Sequence, residues 1–86
     1  MKVLLFADAQ TMVSPSYKRL RLDLKQRRLV LEDYNLQNRA AQDKAHLYDI
    51  TKPGSIVVTR DDGAPVASWR DHLPSADEIS YSLGYI

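Results

Sequence analysis

The sequence predicts one α/β domain, residues 1–86, in which a mixed four-stranded sheet carries helices on both faces. Two observations carry this prediction. Residues 2–7 form an apolar run typical of a strand buried on both faces. Segments with strand and helix character then alternate, and two strands in succession come before the last helix. A chain of 86 residues has room for one modest core, so we expect a single domain.

The first helix is predicted from the residues that follow the first strand. Ser14 is a good helix cap, and Pro15 after it suits the first turn of a helix. The chain therefore predicts a helix that begins near Pro15.

Residues 16–28 also allow a different interpretation. Leu20, Leu22 and Leu24 alternate with charged residues, which is a strand pattern and would indicate a hairpin. However, Tyr17 shares one helical face with Leu20 and Leu24, and no Gly or Asn supplies a tight turn. We favour the helix over the hairpin.

The middle of the chain predicts a second strand and a second helix. Residues 29–34 have strand character, and Asn35 can cap a helix over residues 36–48. The apolar stripe expected to face the sheet consists of Leu36, Ala40 and Leu47, with Ala41, Ala45 and Tyr48 beside them.

A hairpin is predicted next. Residues 56–59 are β-branched, Asp62 and Gly63 form a turn dipeptide, and residues 65–69 return as the fourth strand. Because Pro65 has no amide proton to donate, it belongs at the start of a strand or on an edge.

The closing helix is predicted from a capping box. Ser75 is followed three residues later by Glu78, and the helix then continues through Ile79 and Leu83 to an end near Gly84.

Composition excludes several classes of function. The net charge of +1 creates no molecule-wide field to attract nucleic acid or an anionic membrane. The run 3–7 is far shorter than the roughly 20 residues that cross a bilayer, and the N-terminus does not resemble a signal peptide. We therefore expect a cytoplasmic protein with no membrane partner. The chain has no cysteine, which rules out disulfides, thiolate catalysis and cysteine metal sites, and we expect no cofactor or metal.

The element order, together with Pro15, Pro53 and the Asp62-Gly63 turn, resembles the minimal thioredoxin or glutaredoxin fold. In glutaredoxins a Cys-Pro-x-Cys motif lies between the first strand and first helix, where this chain has Ser14-Pro15-Ser16-Tyr17. A serine hydroxyl does not form a stable mixed disulfide. The resemblance thus implies a redox-inactive member without catalytic residues. It also implies a cis peptide bond before Pro53, although spacing and base rate leave both isomers open.

Three functional hypotheses follow. The first is a protein-interaction or self-association module, which uses the face where the loops around Ser14 and Pro53 meet. The residues predicted for this binding face are Met12, Ser14, Pro15, Tyr17, Pro53 and Gly54.

The second hypothesis is binding of nucleic acid or an acidic ligand by a basic segment, although no aromatic stacking platform accompanies it. Its residues are Lys18, Arg19, Arg21, Lys25, Arg27 and Arg28. The third is a glutathione-type small-thiol-binding domain, since the resemblance extends to glutathione transferases, whose Ser or Tyr hydroxyl is matched by Ser14, Ser16 or Tyr17. The second, helical domain of those enzymes and their acidic-Ser motif are missing.

Overall fold

The computed structural model describes residues 2–70 and 72–82. The chain forms four strands and four helices in these parts. In order they are β1 (Lys2–Ala7), α1 (Ala9–Met12), α2 (Pro15–Gln26), β2 (Val30–Asn35), α3 (Arg39–Leu47), β3 (Ser55–Thr59), β4 (Pro65–Trp69) and α4 (Ala76–Ser82).

The strands form one mixed sheet in the order β2-β1-β3-β4. β1 is parallel to β2 and antiparallel to β3, and β4 is antiparallel to β3. β1 is therefore a central strand, and Val3 through Ala7 are buried. This confirms the prediction of a first strand buried on both faces.

One side of the sheet, the two-helix face, is covered by α2 and α4. It is formed by Val3, Leu5, Ala7, Ile56 and Val58. Tyr17, Leu20 and Leu24 of α2 pack onto this face, and α4 contributes Ala76 and Ile79.

The other side, the one-helix face, is formed by Leu4, Phe6 and Val57. Ala45 of α3 and Ile50 after it cover this face. Tyr34 of β2 adds an aromatic stack, because its ring centroid lies 5.1 Å from that of Phe6. Helices thus lie on both faces, as predicted.

The segment 15–26 is a helix, so the hairpin alternative is wrong. Ser14 caps it, because the Ser14 hydroxyl accepts a hydrogen bond from the Tyr17 amide at 3.3 Å. Tyr17, Leu20 and Leu24 are the buried residues of α2. Leucine has good helix propensity, so the alternating leucines are compatible with a helix. The helix is favoured over the hairpin because it buries Tyr17, Leu20 and Leu24 on one face.

The prediction for α3 needs two corrections. The helix begins at Arg39 after Asn38, because Asn35 belongs to β2 and its side chain accepts from the Gln37 amide in a turn. Its sheet-facing residues are Ala41 and Ala45, since Ala40 is exposed and Leu47 is 75% exposed. Ala41 and Ala45, which were expected beside the stripe, lie four residues apart on one face of α3, and this is the face that is buried.

Three smaller differences concern the ends of other elements. The second strand runs one residue later than predicted, over Val30–Asn35, and the third begins at Ser55. The short helix α1 was not predicted; the Asp8 carboxylate caps it by accepting from the Thr11 amide at 2.8 Å. A helix of four residues is too short for its apolar spacing to predict it from the sequence.

The hairpin and the last helix agree with prediction. The turn is closed by a hydrogen bond from the Gly63 amide to the Arg60 carbonyl at 2.9 Å, and Gly63 has φ of +92°. β4 begins at Pro65 on the edge of the sheet. The Ser75 hydroxyl accepts from the Glu78 amide at 3.1 Å. The predicted end near Gly84 lies outside the described residues.

The loop before β3 settles the isomer of Pro53. No peptide bond in the described residues is cis, so the bond before Pro53 is trans. The left-handed conformation falls on the next residue, Gly54, with φ of +83°. Pro53 is therefore a turn residue, and the cis bond implied by the resemblance is wrong for this chain.

Candidate functional site

The loop before β3 lies at the carboxyl end of β1, close to α1. The Gly54 amide donates to the Phe6 carbonyl at 2.7 Å, which ties this loop to β1. A Cβ atom at Gly54 would lie 3.7 Å from the Thr11 methyl group. The Pro53-Gly54 loop therefore passes close to Thr11 of α1.

The members of the predicted binding face have different surroundings. Pro15 and Pro53 are exposed, whereas Met12 is half-buried and packs against the core of the two-helix face. Ser14 is occupied as the cap of α2. Sequence reasoning missed Val13, which joins α1 to α2 and is 65% exposed. Its one available signal was an apolar residue directly before a Ser-Pro cap.

Tyr17 is buried with an unpartnered hydroxyl. Its exposed fraction is 3%, and among the described residues its hydroxyl has no hydrogen-bond partner. Burial and, secondly, the negative charge of Asp33 raise the pKa of Tyr17 to about 12, against a smaller opposing effect of Arg21. The group is therefore a neutral donor at physiological pH, not a phenolate.

A cavity of about 380 Å³ opens beside Tyr17. Met12, Tyr17, Lys18, Arg21 and Asp33 line it. The cavity thus lies between the start of α2 and the edge strand β2, next to the predicted binding face and sharing two residues with it.

The polar wall of this cavity is an ion pair. Arg21 donates from Nε to Asp33 Oδ1 at 3.0 Å and makes a second hydrogen bond to Asp33 Oδ2. The hydrogen bond to Asp33 raises the pKa of Arg21. Asp33 pairs with Leu5 in the sheet register, so it occupies a two-helix-face position where the core pattern would place an apolar residue.

In the structure, two of the six cations of the basic segment form ion pairs with carboxylates. Arg21 is paired with Asp33, and Arg27 binds Asp77 at 2.6 Å and the Ser80 hydroxyl at 3.0 Å. Arg27 thereby joins the end of α2 to α4. The remaining cations have no ion-pair partner among the described residues: Lys18, Arg19, Lys25 and Arg28.

Of the three residues named for the glutathione-type hypothesis, Ser16 is exposed, whereas the hydroxyls of the other two are not free surface groups. Ser14 caps α2, and Tyr17 is buried and neutral. Within residues 2–70 and 72–82, no three His, Asp or Glu side chains are grouped to hold a metal ion. No described helix has the length and apolar character needed to cross a membrane.

Comparison of the chain with protein-family models, with curated proteins and with solved structures finds no match. The functional argument therefore rests on the geometry of the chain itself.

Proposed function

We propose that this chain is a redox-inactive, thioredoxin-like domain that binds another protein through an apolar face. The face consists of Val13, Pro15, Pro53 and Gly54, and we call it the loop face. The single observation that carries the proposal is Val13, an apolar side chain left 65% exposed two residues after Thr11, which the Pro53-Gly54 loop approaches. Contiguous exposed apolar groups on a rigid base are typical of protein contact sites.

The thioredoxin-like part of the proposal is supported by the order of elements. If α1 and α2 count as one helical segment, the order is strand, helix, strand, helix, strand, strand, helix. The mixed sheet has helices on both faces. The absence of cysteine removes thiol-disulfide exchange from such a domain, which leaves the scaffold and its surface.

The loop face is held in place by its neighbours. The Gly54 amide is bonded to β1, Ser14 caps α2, and Asp8 caps α1. A face whose backbone is fixed in advance loses little entropy when a partner binds. Since Pro53 is trans and the Gly54 amide is already bonded, we expect the partner to be held by apolar side-chain contacts.

The test compares two charge insertions at exposed apolar positions. A double variant, Val13→Glu with Pro53→Glu, changes the loop face. Leu47→Glu, on α3, is the matched control because Leu47 is 75% exposed and belongs to neither loop. Partners captured by the wild-type chain would be identified by mass spectrometry, and the affinity of the purified partner measured for each variant.

We expect the double variant to weaken binding by at least about tenfold, because a charge is buried against an apolar surface, and Leu47→Glu to leave it unchanged. Sedimentation of the chain alone, over a range of concentrations, distinguishes self-association from binding of a different protein. Equal affinity of both variants and wild type would overturn the proposal.

The basic segment supports a second candidate function. Lys18 and Lys25 are seven residues apart on one face of α2, and neither has an ion-pair partner among the described residues. Binding of nucleic acid there would weaken steeply with salt. Affinity for a single-stranded oligonucleotide that does not change between low and high salt, or no binding at low salt, would contradict this candidate.

A further inference from the structure

The cavity beside Tyr17 has the dimensions and lining of a small binding site. Its volume of about 380 Å³ is at the lower end of the range for small-ligand pockets, roughly 300–1,000 Å³. Met12 and the ring of Tyr17 supply apolar wall, and Lys18, Arg21 and Asp33 supply charge. Apolar walls with a few converging polar groups are typical of ligand sites.

The Tyr17 hydroxyl lacks an acceptor. A buried hydroxyl without a hydrogen bond is unfavourable, and most buried polar groups in proteins have a partner. The hydroxyl lies close enough to Asp33 and Arg21 to feel both charges, and these two residues line the same cavity. Both Asp33 oxygens accept from Arg21. Neither oxygen accepts from the Tyr17 hydroxyl, which therefore remains able to donate to an acceptor from outside the chain.

The charges indicate what kind of acceptor fits. The lining contains two cations and one carboxylate, and Lys18 has no ion-pair partner among the described residues. A carboxylate could accept from the Tyr17 hydroxyl and pair with Lys18 together. An ammonium group would satisfy neither residue, and a ligand without charge would satisfy only the first.

We propose that this cavity binds the carboxylate end of an apolar chain, with Tyr17 as hydrogen-bond donor, Lys18 as counter-ion and Met12 as apolar wall. Because Met12 is flexible and half-buried, it is the side chain expected to move when the ligand reaches the hydroxyl. The carboxylate comes either from a free small molecule or from the C-terminus of a protein. In the second case the inference rests on the proposed function.

The experiment uses three probes of equal chain length: hexanoate, hexanol and hexylammonium. Each is titrated into isotope-labelled protein while the backbone amide resonances are recorded. We expect saturable shifts for hexanoate in residues 12–21 and at Asp33. Hexanol should bind about tenfold more weakly, since hydrogen bonds to a charged group are stronger, and hexylammonium should bind more weakly still.

Two variants test the named residues. Tyr17→Phe keeps the ring and removes only the hydroxyl, and Lys18→Gln removes only the charge. Each variant should weaken the binding of hexanoate by about five- to tenfold. The matched controls are Tyr34→Phe, on the opposite face of the sheet, and Lys25→Gln, two turns further along α2, and both should retain wild-type affinity.

A pair of acetylated tetrapeptides distinguishes the two sources of the carboxylate. One ends in leucine with a free carboxylate, and the other ends in leucine amide. Tighter binding of the acid peptide than of hexanoate identifies a protein C-terminus. Binding of hexanoate without the acid peptide identifies a free small molecule.

The proposal is overturned if the three probes bind equally, if hexanoate produces no shifts, or if Tyr17→Phe keeps full affinity. These readouts need no protein partner and do not use Val13 or Pro53. Failure of the cavity and failure of the loop face are therefore separate results.

Discussion

The two faces of the sheet are covered by different means. α2 and α4 cover the two-helix face, and its buried cluster includes side chains from both helices and from β1 and β3. On the one-helix face, α3 contributes only Ala45 to the buried cluster. Tyr34, Leu36 and Tyr48 complete the cover there and are themselves half-buried. The two-helix face therefore has the larger buried cluster, and half-buried side chains, Met12 among them, lie at its border as well.

The two faces of the sheet also differ in their polar groups. The two-helix face contains Tyr17 with its unpartnered hydroxyl, and Asp33 held by Arg21. On the one-helix face, the hydroxyls of Tyr34 and Tyr48 are both bonded, to Glu32 at 3.4 Å and to the Gly63 carbonyl at 2.8 Å. The better-covered face is therefore the one with the unmet hydrogen bond, which is why we place a binding site there.

The largest expected effect compares neighbouring leucines of β1 that point to opposite faces. Leu5→Ala on the two-helix face should lower the free energy of unfolding by about 4 kcal/mol, and Leu4→Ala on the one-helix face by about 3 kcal/mol. Both side chains are fully buried, so the difference reports how well each face closes around a void. Urea unfolding measures it. A greater loss for Leu4→Ala would contradict the comparison.

The next effect compares tyrosines on the two faces. Tyr17→Phe removes a buried hydroxyl without a partner, so it should raise the free energy of unfolding by about 1 kcal/mol. Tyr34→Phe removes a half-exposed hydroxyl with a long hydrogen bond. This variant should change the free energy of unfolding by less than about 0.5 kcal/mol. Thermal unfolding of both variants without ligand measures the difference. Destabilisation by Tyr17→Phe would show that its hydroxyl is satisfied.

A smaller effect compares the ends of the two long helices. Arg28 after α2 has φ of 60°, and Asp49 after α3 has φ of 56°. Each precedes an amide that bonds back to the helix, Leu29 to Leu24 and Ile50 to Ala45. This is the position where glycine is favoured. Arg28→Gly and Asp49→Gly should each raise the free energy of unfolding by about 0.5–1 kcal/mol. Gln26→Gly, inside α2, is the control and should lower it.

Those two turns show why helix ends were hard to predict. Glycine signals a left-handed residue in a sequence, but Arg and Asp do not. Apart from α1, the strands and helices themselves were predictable because apolar spacing repeats within each element. The start of α3 was misplaced because Asn35 and Asn38 are both good caps, and only pairing of Asn35 with Ala7 in the sheet decides between them.

The smallest predicted effect is a change in stability that is confined to alkaline pH. Since the pKa of Tyr17 is raised from 10.0 to about 12 by burial, ionisation of this residue leaves the free energy of unfolding unchanged below pH 10. The free energy of unfolding falls as the pH rises from 10 through 12, because the unfolded chain ionises first. Ultraviolet titration should show a tyrosine that ionises late and is missing in Tyr17→Phe. An unchanged titration in that variant would assign the late ionisation to another tyrosine.

The candidate site was partly predictable. Ser14 and Pro15 at the start of α2 follow from local cap chemistry, and Gly54 lies close to Thr11 of the preceding helix, α1. The cavity was not predictable, because it joins Tyr17 and Arg21 of α2 to Asp33 of β2. No local pattern relates residues so far apart in the chain.

By itself, the sequence determined the absence of thiol chemistry, the central strand and the closing hairpin, and it favoured a helix from Pro15 over a hairpin. Each of these follows from residue identity or from spacing within one element. Only the tertiary structure decided that Arg21 is neutralised by Asp33, that Tyr17 is buried without an acceptor and that Val13 is exposed. Those properties depend on which elements become neighbours, and packing of the whole chain sets that.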